Sequence, residues 1–194
     1  SMRYILFISL LFISCSKTVE SDFINKVDNS ISETELLSEE FYEIYLLEEL
    51  DESRGYCIDI KGSKLNADPD NGLQAHTCYS YQGEVSVDQS FNNTKIGQDE
   101  FYIPYFDVCM EAESASESSN LLLKPCNKSE KQKFEFKSTG EIVLANNTDL
   151  CLTVSEVSRE GGGGSPVHLI RDLVLNGCNN DISTRQKWGL RKSQ

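Results

Sequence analysis

One pattern, a cysteine, a second cysteine and then Gln-x-aromatic, is written three times in this chain. It reads YCIDI…LQAHTC…DQSF, then VCMEA…LLLKPC…KQKF, then LCLTV…PVHLI…GC…RQKW. The opening cysteines are Cys57, Cys109 and Cys151, and the Gln-x-aromatic units begin at Gln89, Gln132 and Gln186. Recurrence at 42- to 54-residue intervals marks one supersecondary unit used repeatedly. Such a unit brings a few strands and cannot close a core alone, but three around a pseudo-threefold axis can. Phe91, Phe134 and Trp188 are then equivalent core-facing aromatics. The three glutamines satisfy backbone groups where strands end. Short runs of Val, Ile, Leu, Tyr and Phe between Gly, Asn, Asp and Ser agree with an all-β fold. KSTGE predicts a hairpin turn between KFEF and EIVLA, and Gly161–Gly164 predicts a loop.

The chain holds seven cysteines, an odd number. Setting Cys15 aside leaves six, which allow fifteen pairings. The repeat selects one of them: Cys57–Cys78, Cys109–Cys126 and Cys151–Cys178, one staple per unit. Each is worth about 2–4 kcal/mol. Zinc is the rival use of cysteine, but there is no CxxC pair and there are only two histidines, His76 and His168. No metal and no cofactor are expected.

The N-terminus explains the odd cysteine. YILFISLLFIS (Tyr4–Ser14) is an apolar run of 11 residues behind a single Arg3. It is too short to span a bilayer, which takes about 20 residues, and fits a secretory signal. Its end, FISCSK, resembles the lipobox of bacterial lipoproteins, with Phe12 where that family usually has Leu. Residues 1–15 are therefore expected to be a signal peptide, and Cys15 the lipidated residue of an exported, surface or outer-membrane lipoprotein. A plain secretory peptide that happens to contain a cysteine is the competing reading. The sequons at Asn92, Asn127 and Asn146 matter only in a eukaryotic source, where the lipobox reading falls.

Charge is unevenly spread. Of the net −13, residues 16–53 carry twelve acids against two lysines. That segment has no Gly, Pro or Cys and contains TELLSEEFYEIYLLEEL (Thr34–Leu50). It reads as an acidic tether, disordered or with one helix. A docking helix for a partner is the alternative. So acidic a chain repels phosphate backbones, which argues against nucleic acid.

Three Q-x-(W/F) repeats in phase with paired cysteines resemble the ricin B-type β-trefoil lectin domain, across residues 54–194. The resemblance implies a β-trefoil and a carbohydrate-binding module taking glycans, galactose-like among them. It implies roles as well: an Asp in the opening strand accepts from sugar hydroxyls, a ring two residues before the second Cys stacks on the sugar, and a polar residue precedes the Gln. The first repeat fits best, with Asp59, Gln74, His76, Asp88 and Gln89. Gln74 and His76 share a strand face, His76 takes the ring position, and Asp88 stands where the family often has Asn. The second repeat offers Glu111, Leu122, Lys124 and Lys131 in those places, and the third offers Thr153 and Arg185, so both read as structural. His168 and Arg171 read as surface residues, with a binding role in the third repeat as the alternative. One shallow monosaccharide site in the first repeat is the expectation.

Two other classes compete. A trefoil without a sugar site would be a protein-interaction module, with FYIPYFDV (Phe101–Val108) as a candidate surface, although these aromatics fit a core strand better. A glycosidase-like enzyme would use Asp59 and Asp88 as its carboxylate pair. No nucleophile–base pair is legible, and a non-enzymatic module is expected.

Overall fold

The structure is a computed structural model that describes residues 41–80 and 86–192. The expected signal peptide, Cys15 and all of the leader before Phe41 lie outside the described residues.

The chain is a β-trefoil of three four-strand units. The first unit holds β1 (Phe41–Leu46), β2 (Tyr56–Ile60), β3 (Leu73–Thr77) and β4 (Phe91–Asn92). The second holds β5 (Tyr102–Ile103), β6 (Val108–Ala112), β7 (Ser119–Lys124) and β8 (Phe134–Phe136). The third holds β9 (Ile142–Leu144), β10 (Asn147–Val154), β13 (Leu173–Gly177) and β14 (Trp188–Lys192). Two further strands, β11 (Arg159–Glu160) and β12 (Leu169–Arg171), are inserted in the third unit and have no counterpart in the others.

The first and last strands of the units form the barrel. β1 pairs with β4 and with β14, β8 pairs with β9, single bridges at Glu100–Lys133 and Glu141–Lys187 tie the ends of the second and third units, and β4 packs beside β5. Closure removes free sheet edges. The middle strands form three hairpins, β2–β3, β6–β7 and β10–β13, and the expected hairpin across KSTGE is β8–β9. The second and third hairpins also pair with one another, at Val174–Asn120 and Leu175–Ser119.

The domain starts earlier than Arg54. β1 lies inside the segment read as a tether, and its residues 41–46 are a strand, not part of a helix. The reason is tertiary: five residues of β1 pair with β14 in continuous register, and Ile44 and Leu46 enter the core. Packing overrides the helix propensity of the flanking Leu and Glu.

The core is built as the repeat predicts. Phe91, Phe134 and Trp188 are fully buried, with Phe101 edge-on to both phenylalanines at 6.4 and 5.9 Å. Phe101 and Ile103 of FYIPYFDV belong to this core, and Tyr105 is the well-exposed aromatic of that stretch. Disulfides join Cys57–Cys78, Cys109–Cys126 and Cys151–Cys178, one per unit. Gly72 opens β3 at φ 74°, where a Cβ would lie 2.8 Å from the Leu121 carbonyl oxygen, so no other residue fits that turn.

Candidate functional site

The three glutamines do one architectural job. Each side-chain oxygen accepts from the backbone N–H just after the second cysteine: Tyr79 to Gln89 at 3.0 Å, Asn127 to Gln132 at 2.8 Å, Asn179 to Gln186 at 2.9 Å. Each amide nitrogen donates to a nearby carbonyl, on Thr77, Pro125 and Gly177. The same nitrogen donates to the side chain two residues after the opening cysteine: Asp59 at 2.8 Å, Glu111 at 2.9 Å, Thr153 at 2.9 Å. Gln89 is thus a latch, and Asp59 is its partner in the first repeat.

Register makes the repeats comparable position by position. Asp59 faces Gln74 and Cys57 faces His76 across β2–β3. The equivalent pairs are Glu111 with Leu122 and Cys109 with Lys124, then Thr153 with Val174 and Cys151 with Asn176. Only the first repeat combines an acid, an amide and a ring at these places.

All five expected residues come together there, and all five are buried, between 0 and 4 % exposed. Asp59 Oδ2 accepts from Gln89, and Oδ1 accepts from Gln74 Nε2 at 3.4 Å. His76 Nδ1 donates to the Thr77 carbonyl at 2.8 Å and lies 3.8 Å from Asp59 Oδ2. That bond places the proton of neutral His76 on Nδ1 and leaves Nε2 as an acceptor. Asp88 Oδ2 accepts from the backbone N–H of Lys64. Its Oδ1 is buried and has no hydrogen-bond partner among the described residues.

The electrostatics follow from this enclosure. Burial, reinforced by the Asp88 charge, pushes the Asp59 carboxyl well above its ordinary range, against the pull of the Gln89 and Gln74 amides. Burial, with His168 and Arg54 nearby, lowers the His76 pKa, opposed by the Thr77 carbonyl and Asp88. Asp59 and Asp88, the carboxylate pair a glycosidase would use, are each fully buried in this structure.

The cover comes from the third repeat. β12 adds to the edge of β3, with Ile170 opposite His76 and Arg171 opposite Ala75. His168 packs edge-on against His76 at 5.0 Å and Tyr79 at 5.6 Å. Arg54 donates to the Pro166 and Val167 carbonyls, each at 2.9 Å. Arg171 donates to Asp51 Oδ1 at 2.7 Å and to the Ser155 and Glu156 carbonyls. His168 and Arg171 are therefore not the surface residues expected, each being only 5 % exposed. The extra residues before Cys178 signal an insertion, but nothing local says that it docks on another repeat. Tyr79 and Lys64 were missed as well. The Lys64 ammonium lies 5.2 Å over the Tyr79 ring; Lys64 starts a short 3-10 turn without a repeat counterpart, and the repeat fixes the Tyr79 backbone but not its ring.

The profile of the ricin-type beta-trefoil lectin domain matches residues 48–188, more than half of the chain. No protein with a curated description matches it in sequence. Several solved structures are similar in fold. An earthworm lectin C-terminal domain mutant in complex with 6'-sialyllactose is 18 % identical, with a TM-score of 0.54, over 79 % of this chain and 98 % of that one. A non-toxic homologue of type II RIPs from Momordica charantia, in complex with alpha-methyl-D-galactoside, is 15 % identical, with a TM-score of 0.51, over 77 % of this chain and 47 % of that one. The beta-trefoil lectin of the Vibrio vulnificus hemolysin/cytolysin, with N-acetyl-D-lactosamine bound, is 14 % identical, with a TM-score of 0.51, over 81 % and 97 %. With its three latched repeats and this profile match, the chain belongs to the ricin-type β-trefoil lectin domain family.

Proposed function

We propose that the protein is a non-enzymatic carbohydrate-binding module whose one sugar site is the first-repeat cluster of Gln74, His76 and Asp88. One observation carries this reading. Among three register-equivalent places, only the first has an acid, an amide and a flat ring, while the others offer Leu122 with Lys124 and Val174 with Asn176. Sugar recognition takes such a mixture of hydrogen-bonding groups and a face for the C–H side of the ring. Asp88 Oδ1 is a buried acceptor that a sugar hydroxyl would satisfy. Asp59 acts behind Gln74 and Gln89, as the group that orients them. The complexes of the structural neighbours with N-acetyl-D-lactosamine and alpha-methyl-D-galactoside favour galactose-like glycans as the first to test.

A single site of this kind gives millimolar affinity, about 4 kcal/mol. Clustering of the module on a membrane adds avidity without new contacts. Export with lipid attachment at Cys15 supplies such clustering, and the three disulfides fit an oxidising compartment. Mass spectrometry of the native N-terminus tests this, and an unmodified Cys15 rejects the anchor.

The sugar reading predicts selective glycan capture by the whole chain on an array, weakened at least tenfold in Gln74→Ala at a temperature where circular dichroism shows that variant still folded, since the buried Gln74 also donates to Asp59. No captured glycan, or equal capture by Gln74→Ala, refutes it.

A further inference from the structure

We propose that the third-repeat arm, residues 158–172, is a lid over the buried first-repeat cluster, which swings away to admit a sugar to Gln74, His76 and Asp88. The lid rests on the reading of that cluster as the sugar site.

The arm is an addition to the trefoil, not one of its struts. β11 and β12 hold one another through two residue pairs, and β12 holds β3 through two more. Leu169 and Ile170 are only half-buried, and Val157, next to the arm, is exposed. The remaining hold is mostly polar: Arg54 on two carbonyls, Arg171 on Asp51 and over the Tyr56 ring, Ser158 on Asp51, and the Leu169 N–H on Thr77 Oγ1 at 2.8 Å. Such bonds contribute modestly each, and segments held this way open far below the global unfolding free energy.

The turn of the arm is glycine-rich. Gly161–Gly164 form its tip, and a Cβ on Gly162 or Gly163 would meet nothing within 4 Å. Gly164 differs. At φ 81°, a Cβ there would lie 2.4 Å from the His168 ring, so the closed seat of His168 requires glycine at this position. His168 in turn closes the ring cluster over His76 and Tyr79.

Acid favours the open arm. His76 faces Asp59, Asp88, Tyr79, Arg54 and His168, and His168 faces Arg54, Glu52, Lys64, Tyr79 and His76. Burial comes first in lowering both histidines below 6.5, so the closed state holds them neutral. A group with a depressed basic pKa keeps its full contribution to the closed state above its ordinary pKa and loses it as pH falls from there through the lowered one. Protonation then sets two charges beside Arg54 and Lys64 across a 5.0 Å ring contact. Asp51 and Glu52 stay ionised well below that range. Burial raises both, but the Arg171, Ser158 and Tyr56 hydrogen bonds outweigh it at Asp51, and those of Arg54 and Thr77 at Glu52. Asp51 and Glu52 therefore do not respond in this range; the histidines do, beside the raised Asp59 carboxyl.

Hydrogen exchange on the whole chain tests the lid without any sugar. Protection factors over residues 159–171 are expected to be at least 100-fold below those of β2 and β3. From pH 7.5 to pH 5.5 they fall a further several-fold, after correction for intrinsic rates. Gly164→Ala and His168→Ala lower them at pH 7.5 while the core is unchanged. Arm protection equal to that of β2 and β3, unmoved by either variant, overturns the lid alone. In a second experiment, binding to immobilised alpha-methyl-D-galactoside and N-acetyl-D-lactosamine is expected to rise in both variants. An arm open about one tenth of the time weakens apparent affinity about tenfold, which the variants recover. A mobile arm with no binding by any form, there or on the glycan array, overturns the sugar reading and with it the role of the arm as a sugar gate.

Discussion

A chain that starts at Arg54 is expected to show no cooperative unfolding transition, whereas one that starts at Glu39 unfolds as a single unit. The cut removes all of β1. Ile44 and Leu46 are fully buried in the core, and deleting large buried aliphatic side chains costs about 2–5 kcal/mol each. Five residue pairs with β14 are lost, with two to β4 and one to β2, so the barrel opens between the first and third repeats. Glu43 goes too. It is fully buried, accepts from Ser80 Oγ at 2.6 Å and is ion-paired with Arg191, which stacks on the Tyr45 ring at 4.4 Å. Asp51 and Glu52, which hold Arg171 and Arg54, complete the loss. These terms together exceed the net stability of an ordinary domain, about 5–15 kcal/mol. Far-UV circular dichroism during a urea titration reads the outcome. A sharp, reversible transition in the shorter chain would show that β1 is dispensable.

The case of β1 shows why that strand is hard to read in one dimension. Its residues, FYEIYL, sit between acidic helix formers and carry no Gly, Pro or Cys to mark a boundary. Glu43 breaks the expected alternation, since a buried acid looks like a solvent-facing one until its cation is known. That cation, Arg191, is 148 residues away. The three disulfides, the Gln-x-aromatic units and the KSTGE hairpin are legible because each is local, and because repetition makes three weak signals into one. The insertion of β11 and β12 is legible only as surplus length. Docking on β3 depends on two residue pairs between distant repeats, and no spacing in the sequence encodes them. Asp59 carries the same lesson for the site. The motif brings Asp59 to the cluster, but the motif alone does not say whether its oxygens face a ligand or the protein. Both are engaged by Gln74 and Gln89, which makes Asp59→Ala a test of folding before it is a test of binding.

Removing the three latches one at a time is expected to destabilise in the order Gln89→Ala, Gln186→Ala, Gln132→Ala. All three lose the same kinds of bond, so the difference lies in what is left behind. Gln89→Ala strands a fully buried carboxyl and the buried Tyr79 N–H, at about 1–3 kcal/mol per unsatisfied group, or about 3–5 kcal/mol in all. Gln186→Ala strands the Thr153 hydroxyl, which is buried but neutral and already donates to the Cys151 carbonyl at 2.8 Å. About 2 kcal/mol is expected there. Gln132→Ala leaves Glu111 and Pro125 within reach of water, and about 1 kcal/mol is expected. The pH dependence separates the first from the others. Asp59 already holds its proton more tightly than an unfolded carboxyl, chiefly through burial, and the Gln89 amide opposes that shift. An acid with a raised folded pKa stabilises the fold below its unfolded value and loses that stabilisation as pH rises through the folded one. Without Gln89 the Asp59 pKa climbs further, so the loss extends to higher pH. The gap between wild type and Gln89→Ala therefore widens from pH 4 to pH 8, while the Gln186→Ala gap stays flat because Thr153 does not titrate. Guanidinium titrations across that range measure both gaps. A flat gap for Gln89→Ala, or equal costs at all three positions, would mean that Asp59 is not held by its latch in the way the structure indicates.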